Sequence, residues 1–160
     1  MNRIIKFLAI ALFACAMTPT YAQNSSKVEK TINDIVARYD GTQGVECMSV
    51  VKGSGLELIK MTLNKEFGKS FMKGVTSITI IDYSEASQET CTSLRKDLDV
   101  FLSVLQEFDL SKEESFSKNE YLRCFSAVSE AGTLSDFVIA MEDDKTKMLM
   151  YMAGTIQVEL

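Results

Sequence analysis

The spacing of apolar residues changes near Phe108, and this change constrains the fold more than any other feature of the chain. Before it, three segments carry apolar residues every three or four positions, which is typical of amphipathic helices. After it, apolar and polar residues tend to alternate, which is typical of strands. Because both kinds of element must share a core in a chain of this length, the pattern predicts an α+β fold.

The first part of the chain is expected to alternate helices with strands. Helices are predicted over residues 26–39, 56–67 and 88–108, and the last is the longest and best patterned. β-branched runs predict strands over residues 45–51 and 75–83. The Gly-Ser-Gly turn at 53–55 then reads as a strand-to-helix connection, with Ser54 able to cap the second helix. The same three residues would also offer an anion the backbone of a helix N-terminus, which is the weaker interpretation.

The last part of the chain is expected to form an antiparallel meander. Strands are predicted over residues 121–128, 134–142 and 147–158, with an interruption at Gly154 in the last. The segments between them have turn compositions, and the polar stretch 109–119 is expected to be a loop or an edge strand. The whole pattern predicts an antiparallel-rich sheet of about five strands, with three helices packed mainly on one face.

The first 22 residues have the pattern of a secretory signal peptide. Arg3 and Lys6 precede an apolar run over 7–16 that is too short to span a bilayer. Small and polar residues then lead to a predicted cleavage between Ala22 and Gln23. This interpretation divides the chain into a signal at 1–22, a flexible linker at 23–27 and a single α+β domain at 28–160. The mature chain would contain no transmembrane segment and would be periplasmic or secreted.

The same segment allows a second interpretation, as a bacterial lipoprotein signal. Leu12 to Cys15 approximate the pattern in which a cysteine after small residues becomes acylated. Phe13 is bulky for that pattern, so ordinary cleavage after Ala22 is preferred. Acylation of Cys15 would instead tether the domain to a membrane.

Charge and composition exclude several functions. The chain carries 17 basic and 22 acidic residues, for a net charge of −5, and loss of Arg3 and Lys6 with the signal would make it −7. An acidic chain without a basic stripe is a poor partner for nucleic acid. The sequence contains no His, which rules out Ser-His-Asp and Cys-His centres and the commonest metal ligand. With no catalytic signature, we expect neither an enzyme nor a bound cofactor.

Three cysteines remain after the signal, which is an odd number for an exported protein. A disulfide between Cys47 and Cys124 is the favoured pairing, since both lie in predicted strands. The competing interpretation makes Cys47, Cys91 and Cys124 small buried apolar residues with free thiols.

Met148, Met150 and Met152 are the most suggestive candidates for ligand chemistry. In a strand, these alternate residues share one face, where three thioethers would suit a soft ion such as Cu(I). The alternative is that they fill the core of a buried strand. The acidic residues Glu142 to Asp144 lack the spacing of a calcium loop and predict a solvated hairpin turn. The run Glu113 and Glu114, with Glu120 nearby, also lacks that spacing.

Three stretches of this sequence resemble a family of small exported Bacteroidota proteins that is classed as a domain of unknown function. They read VECMSVVKGSGLELIKM, VTSITIIDYSEAS and GTLSDFVIAMEDDKTKMLMYMAGTI. The resemblance covers most of residues 27–158 and rests on structural patterns. It implies export and an α+β fold, and it transfers no activity.

These observations predict an exported, non-enzymatic domain of the periplasm or cell envelope that acts as a binding or interaction module. Its partner would be a protein, an envelope component or a small ligand. The alternative is an envelope carrier of a small ligand or soft metal that uses Met148, Met150 and Met152. A hydrolase that relies on two carboxylates is a third, weaker hypothesis.

Overall fold

The computed structural model describes residues 27–67, 72–108, 122–128 and 134–156, which form three helices and six strands. In chain order these elements are α1 (Lys27–Tyr39), β1 (Glu46–Val51), α2 (Ser54–Phe67), β2 (Gly74–Asp82), α3 (Gln88–Leu102), β3 (Gln106–Phe108), β4 (Leu122–Val128), β5 (Leu134–Glu142) and β6 (Lys147–Ile156). The predicted signal peptide, the residues Cys15, Ala22 and Gln23, and positions 23–26 of the predicted linker lie outside the described residues. Position 27 of that linker begins α1.

The described strands form one sheet in the order β1-β2-β6-β5-β4-β3, and each neighbouring pair is antiparallel. The predicted α+β class and antiparallel sheet are therefore confirmed. The sheet has six strands where about five were expected. The sixth is β3, which lies in a segment that the helical pattern had assigned to α3.

The helix α3 ends six residues before the predicted boundary at Phe108, after Leu102. The N–H of Ser103 still donates to Asp99 O at 2.9 Å, and a turn then joins Leu105 N to Leu102 O at 3.0 Å. Gln106 next pairs with Ser126 of β4. Leu105 keeps the helical spacing of apolar residues, but hydrogen bonding to a distant strand outweighs that local pattern, so β3 forms there.

The sheet is buried on both faces, and the helices are divided between them. One face, which we call the α2 face, carries Leu56, Ile59 and Leu63 of α2 in the same cluster as Ile78 and Ile80 of β2. The opposite face, which we call the two-helix face, is covered by apolar residues of α1 and α3, from Ile32 to Phe101. Two of the three helices share one face of the sheet, as expected, whereas α2 covers the opposite face.

Irregularities in three strands change which residues face each core. Register shifts fall between Val75 and Ser77 in β2, with similar shifts in β4 and β5. Simple alternation would place Val75 on the same face as Ser77, but Val75 belongs to the α2-face cluster with Ile78. An extra residue in a strand reverses the alternation beyond it, so these bulges set the side-chain pattern at this end of the sheet.

Candidate functional site

A cleft opens on the two-helix face between α3 and the strands β4, β5 and β6. Its enclosed space is about 60 Å³, and the wider opening, counted out to the solvent at its mouth, is about 440 Å³. The residues that line it are Tyr83, Arg95, Leu98, Asp99, Leu102, Arg123, Ala140, Met141, Glu142 and Leu149. Apolar residues of α3 and of β6 thus meet charged residues from three different elements. An apolar surface with a few polar groups is the kind of lining that small-ligand sites have, and here it borders a shallow, open cleft.

Tyr83, Arg95 and Glu142 form a polar group at one side of the cleft. The Arg95 guanidinium makes an ion pair with the Glu142 carboxylate, and its positive charge acts to lower the pKa of Tyr83. Burial is the main cause that raises the pKa of Tyr83, and the negative charge of Glu142 adds to it. The hydroxyl of this buried side chain is therefore protonated near neutral pH.

Arg123 of β4 also lines the cleft and is held in place by two contacts. Its Nε and Nη2 donate to the two carboxylate oxygens of Glu107 at 2.8 and 3.1 Å. Its Cζ also lies 4.9 Å from the ring centroid of Phe125, which is a cation–π distance. The hydrogen bonds from Arg123 are the main cause that lowers the pKa of Glu107. Asp99 of α3 acts on the same guanidinium through its charge.

The cleft therefore presents both signs of charge beside an apolar floor. Four charged groups surround Leu98 and other apolar side chains. They are the guanidiniums of Arg95 and Arg123 and the carboxylates of Asp99 and Glu142. All the paired charges are close to half exposed, so their ion pairs contribute little to stability. A ligand is thus able to replace one partner of each pair at small cost. The arrangement is suited to holding a polar ligand.

Sequence reasoning missed this cleft because its residues meet only through long-range pairing. On the helical spacing alone, Arg95 belongs to a solvated face with Asp99 four residues later. In the structure, Arg95 is paired with Glu142, which lies at the end of β5. No local pattern in the sequence joins these two segments.

The three candidate methionines do lie together on the α2 face. Met148, Met150 and Met152 are at most 4 % exposed and belong to one apolar cluster. The strand register also places Met141 of β5 opposite Met148. These side chains contribute to the core, and their thioethers share one face of β6 as the alternation predicts.

The structure does not bring Cys47 and Cys124 together, and the three described cysteines are free thiols. Cys47 packs against the two-helix face on β1, whereas Cys124 is buried on the α2 face in β4. Three strands separate β1 from β4, so the favoured disulfide is not formed. Cys91 is buried on α3 and donates to the carbonyl oxygens of Tyr83 and Ala86 at 3.7 and 3.6 Å.

The remaining sequence candidates have structural roles where they are described. Asp143 Oδ1 accepts hydrogen bonds from the N–H groups of Lys145 and Thr146, both at 2.7 Å, and these bonds lower the pKa of Asp143. The acidic run 142–144 thus closes the β5–β6 hairpin. Ser54 begins α2 directly after Gly53. Glu113, Glu114 and Glu120 lie outside the described residues.

Two further features are absent from the described segments. No group of three or more Cys, Asp or Glu side chains in these segments is arranged to hold a metal ion. None of the described helices combines the length and the apolar character needed to cross a bilayer. Comparison with protein families, with curated proteins and with solved structures found no match.

Proposed function

We propose that this protein is an exported, non-enzymatic binding module that holds a small ligand in the cleft between α3 and the sheet. The single observation that carries the proposal is the placement of Arg95, Arg123, Asp99 and Glu142 around an apolar floor. These charges come from three separate elements and converge only in the folded chain. Binding is favoured because these side chains offer a ligand both charge and hydrogen-bond partners.

The charges favour a zwitterionic ligand with an apolar portion, such as a free amino acid. A ligand carboxylate would replace an acidic partner of Arg95 or Arg123, and a ligand ammonium would pair with Asp99 or Glu142. A ligand with a single charge would pair with the cleft residues of opposite sign. It would also lie close to cleft residues of its own sign, without a compensating contact. Its apolar side chain would lie against Leu98 and its neighbours.

Calorimetric titration with L-leucine, N-acetyl-L-leucine and L-leucinamide tests this proposal. We expect leucine to bind, and each blocked form to bind at least about tenfold more weakly, because each has lost one charge. Arg123→Gln and Asp99→Asn should each weaken leucine binding.

Arg38→Gln is the matched control, since Arg38 is also an exposed arginine paired with a carboxylate, that of Asp97 on α3. It should leave leucine binding unchanged. Equal binding of all three compounds, or no binding of leucine at millimolar concentration, would contradict the zwitterion assignment.

Export is proposed from the N-terminal pattern, and with it membership of the Bacteroidota family that the sequence resembles. Mass spectrometry of the mature protein from its host checks both routes of processing. A chain that begins at Gln23 supports a periplasmic or secreted protein. A lipidated N-terminal Cys15 would contradict this and indicate a membrane-anchored form.

A soft-metal carrier is the second candidate function, and one structural observation favours it. Met141 faces Met148 across the β5–β6 pair, on the same face as Met150 and Met152, so four thioethers border one stretch of sheet. Cu(I) titration of the protein and of the Met148→Leu, Met150→Leu, Met152→Leu triple variant tests it. Stoichiometric binding that the triple variant loses would support the carrier, whereas equal binding by both would exclude these methionines.

A further inference from the structure

The strand β1 is an edge strand, which forms one border of the described sheet. Its residues pair with β2 from Glu46 opposite Asp82 to Val51 opposite Ser77. Within the described residues, no strand pairs with the other side of β1. Alternate backbone N–H and C=O groups of a six-residue strand therefore face outward along this border.

β1 lacks the features by which sheets commonly protect their borders. The opposite border, β3, has three described residues. β1 is twice as long, has no proline, and carries a single charged residue, Glu46. Its apolar residues, including Met48 and Val50, are only half-buried. A border of this kind is suited to accept another strand.

We infer that β1 pairs antiparallel with β1 of a second copy of this chain, which extends the sheet across a twofold axis at Ser49. In this register Met48 lies opposite Val50 of the other copy, so two half-buried apolar residues cover each other. Val50 packs on the α2 face. Because residues two apart in a strand share a face, Met48 lies on that face as well.

The charges at the two ends of the strand select this occupant over an unrelated peptide. Lys52 directly follows β1 and has φ of +58°, so the same register brings Glu46 of each copy near Lys52 of the other, at both ends of the paired strands. Glu46 and Lys52 are both exposed in the single chain. Because Glu46 begins β1 and Lys52 follows its last residue, these two charges are complementary to those of a second copy only when the strands are antiparallel.

Analytical ultracentrifugation of the purified protein over a concentration series tests the dimer. We expect a species with twice the mass of the chain, which dissociates on dilution. Glu46→Lys and Lys52→Glu should each raise the dissociation constant by about tenfold or more, because each replaces two attractive charge pairs with two repulsive ones. The double variant Glu46→Lys, Lys52→Glu restores opposite charges and should restore the dimer.

The control is Asp144→Lys, which makes the same change of charge on the exposed β5–β6 turn. It should leave the dissociation constant unchanged. Since all the substituted residues are exposed, far-ultraviolet circular dichroism should show that each variant is folded. A protein that is monomeric at every concentration would overturn the inference. A dimer that is insensitive to the single variants, or that the double variant does not restore, would overturn it too.

Discussion

Tyr151 shows how one side chain links the elements on the two-helix face. It is fully buried, and its ring meets that of Phe101 edge to face, with centroids 6.1 Å apart. Its hydroxyl donates to Asp136 Oδ1 at 2.6 Å. Asp136 has φ of +52°, which is unfavourable for a residue with a Cβ, although Asp tolerates it better than most. The hydrogen bond therefore helps to hold the bulge in β5.

The substitution Tyr151→Phe should lower the free energy of unfolding by about 1–2 kcal/mol, because it removes that hydrogen bond and keeps the ring. Asp136→Asn should cost less, since asparagine keeps an acceptor and also tolerates positive φ. Urea denaturation of both variants measures the difference. A neutral Tyr151→Phe would show that the hydrogen bond does not stabilise the bulge.

The three described thiols should differ in reactivity because they differ in burial. Burial raises the pKa of Cys47 to about 11 and that of Cys124 to about 12. At pH 8 we therefore expect half-buried Cys47 to react slowly with a thiol reagent, and buried Cys91 and Cys124 to react only after denaturation. The Cys47→Ser variant should lose the phase seen in the native protein. Fast reaction at a second site would contradict this assignment.

Glu107 should titrate below its ordinary value of 4.5, because hydrogen bonds from Arg123 favour its carboxylate. A lowered pKa in the folded state means that the stabilisation is present above the unfolded value. It is lost as pH falls through the folded value. NMR titration of the native protein and of Arg123→Gln measures this, and the variant should return Glu107 towards 4.5. An unchanged pKa in the variant would refute the role of Arg123.

The backbone conformation of β6 depends on Gly154. Its φ is +102°, and a Cβ built there would lie 2.3 Å from the carbonyl oxygen of Gly74 in β2. This close approach allows β6 to continue past the irregular pairing with β2. The sequence predicts an interruption at Gly154, whereas the structure keeps the strand continuous through it.

Gly154→Ala should destabilise the protein by at least about 2 kcal/mol, since it adds backbone strain and a clash with β2. Gly41→Ala is the matched comparison, because Gly41 also has positive φ, +78°, but nothing lies within 4 Å of a Cβ there. It should cost about 1 kcal/mol. Equal costs in thermal denaturation would show that the contact with Gly74 contributes nothing.

The sequence predicts elements well where a local pattern decides them, and poorly where pairing decides them. The strand β5 has the predicted bounds, and α1 begins one residue from its predicted start, because their patterns are strong. The strand β3 and the bulges depend on which strands lie side by side. The ion pair between Arg95 and Glu142 also forms only when distant segments pack together. The sequence pattern therefore predicts neither the bulges nor the cleft.

The strand β6 joins the two cores of the molecule. Leu149 faces the two-helix face and Met150 faces the α2 face, although they are adjacent in the strand. Both are almost completely buried. The alternation in 147–158 predicts that successive residues face opposite ways. It does not show that each face carries a core, because the distribution of helices between the faces is a property of the tertiary structure.

Leu149→Ala and Met150→Ala should each cost about 2–5 kcal/mol, because each leaves a cavity in a different core. If β6 couples the two cores, each substitution should lower the free energy of opening by the same amount at amides throughout the sheet. Native-state hydrogen exchange at amides of β1 and β4 tests this coupling. A substitution that affects one border of the sheet alone would show two independent units.

The position of β6 also has a consequence for the timing of folding. It is the last of the described strands to be synthesised, yet it lies between β2 and β5 in the centre of the sheet. A chain that has been made only as far as the β5–β6 turn leaves β2 and β5 without their shared partner. The sheet therefore reaches its native strand order only after β6 has emerged, so its central pairings form at the end of synthesis or after it.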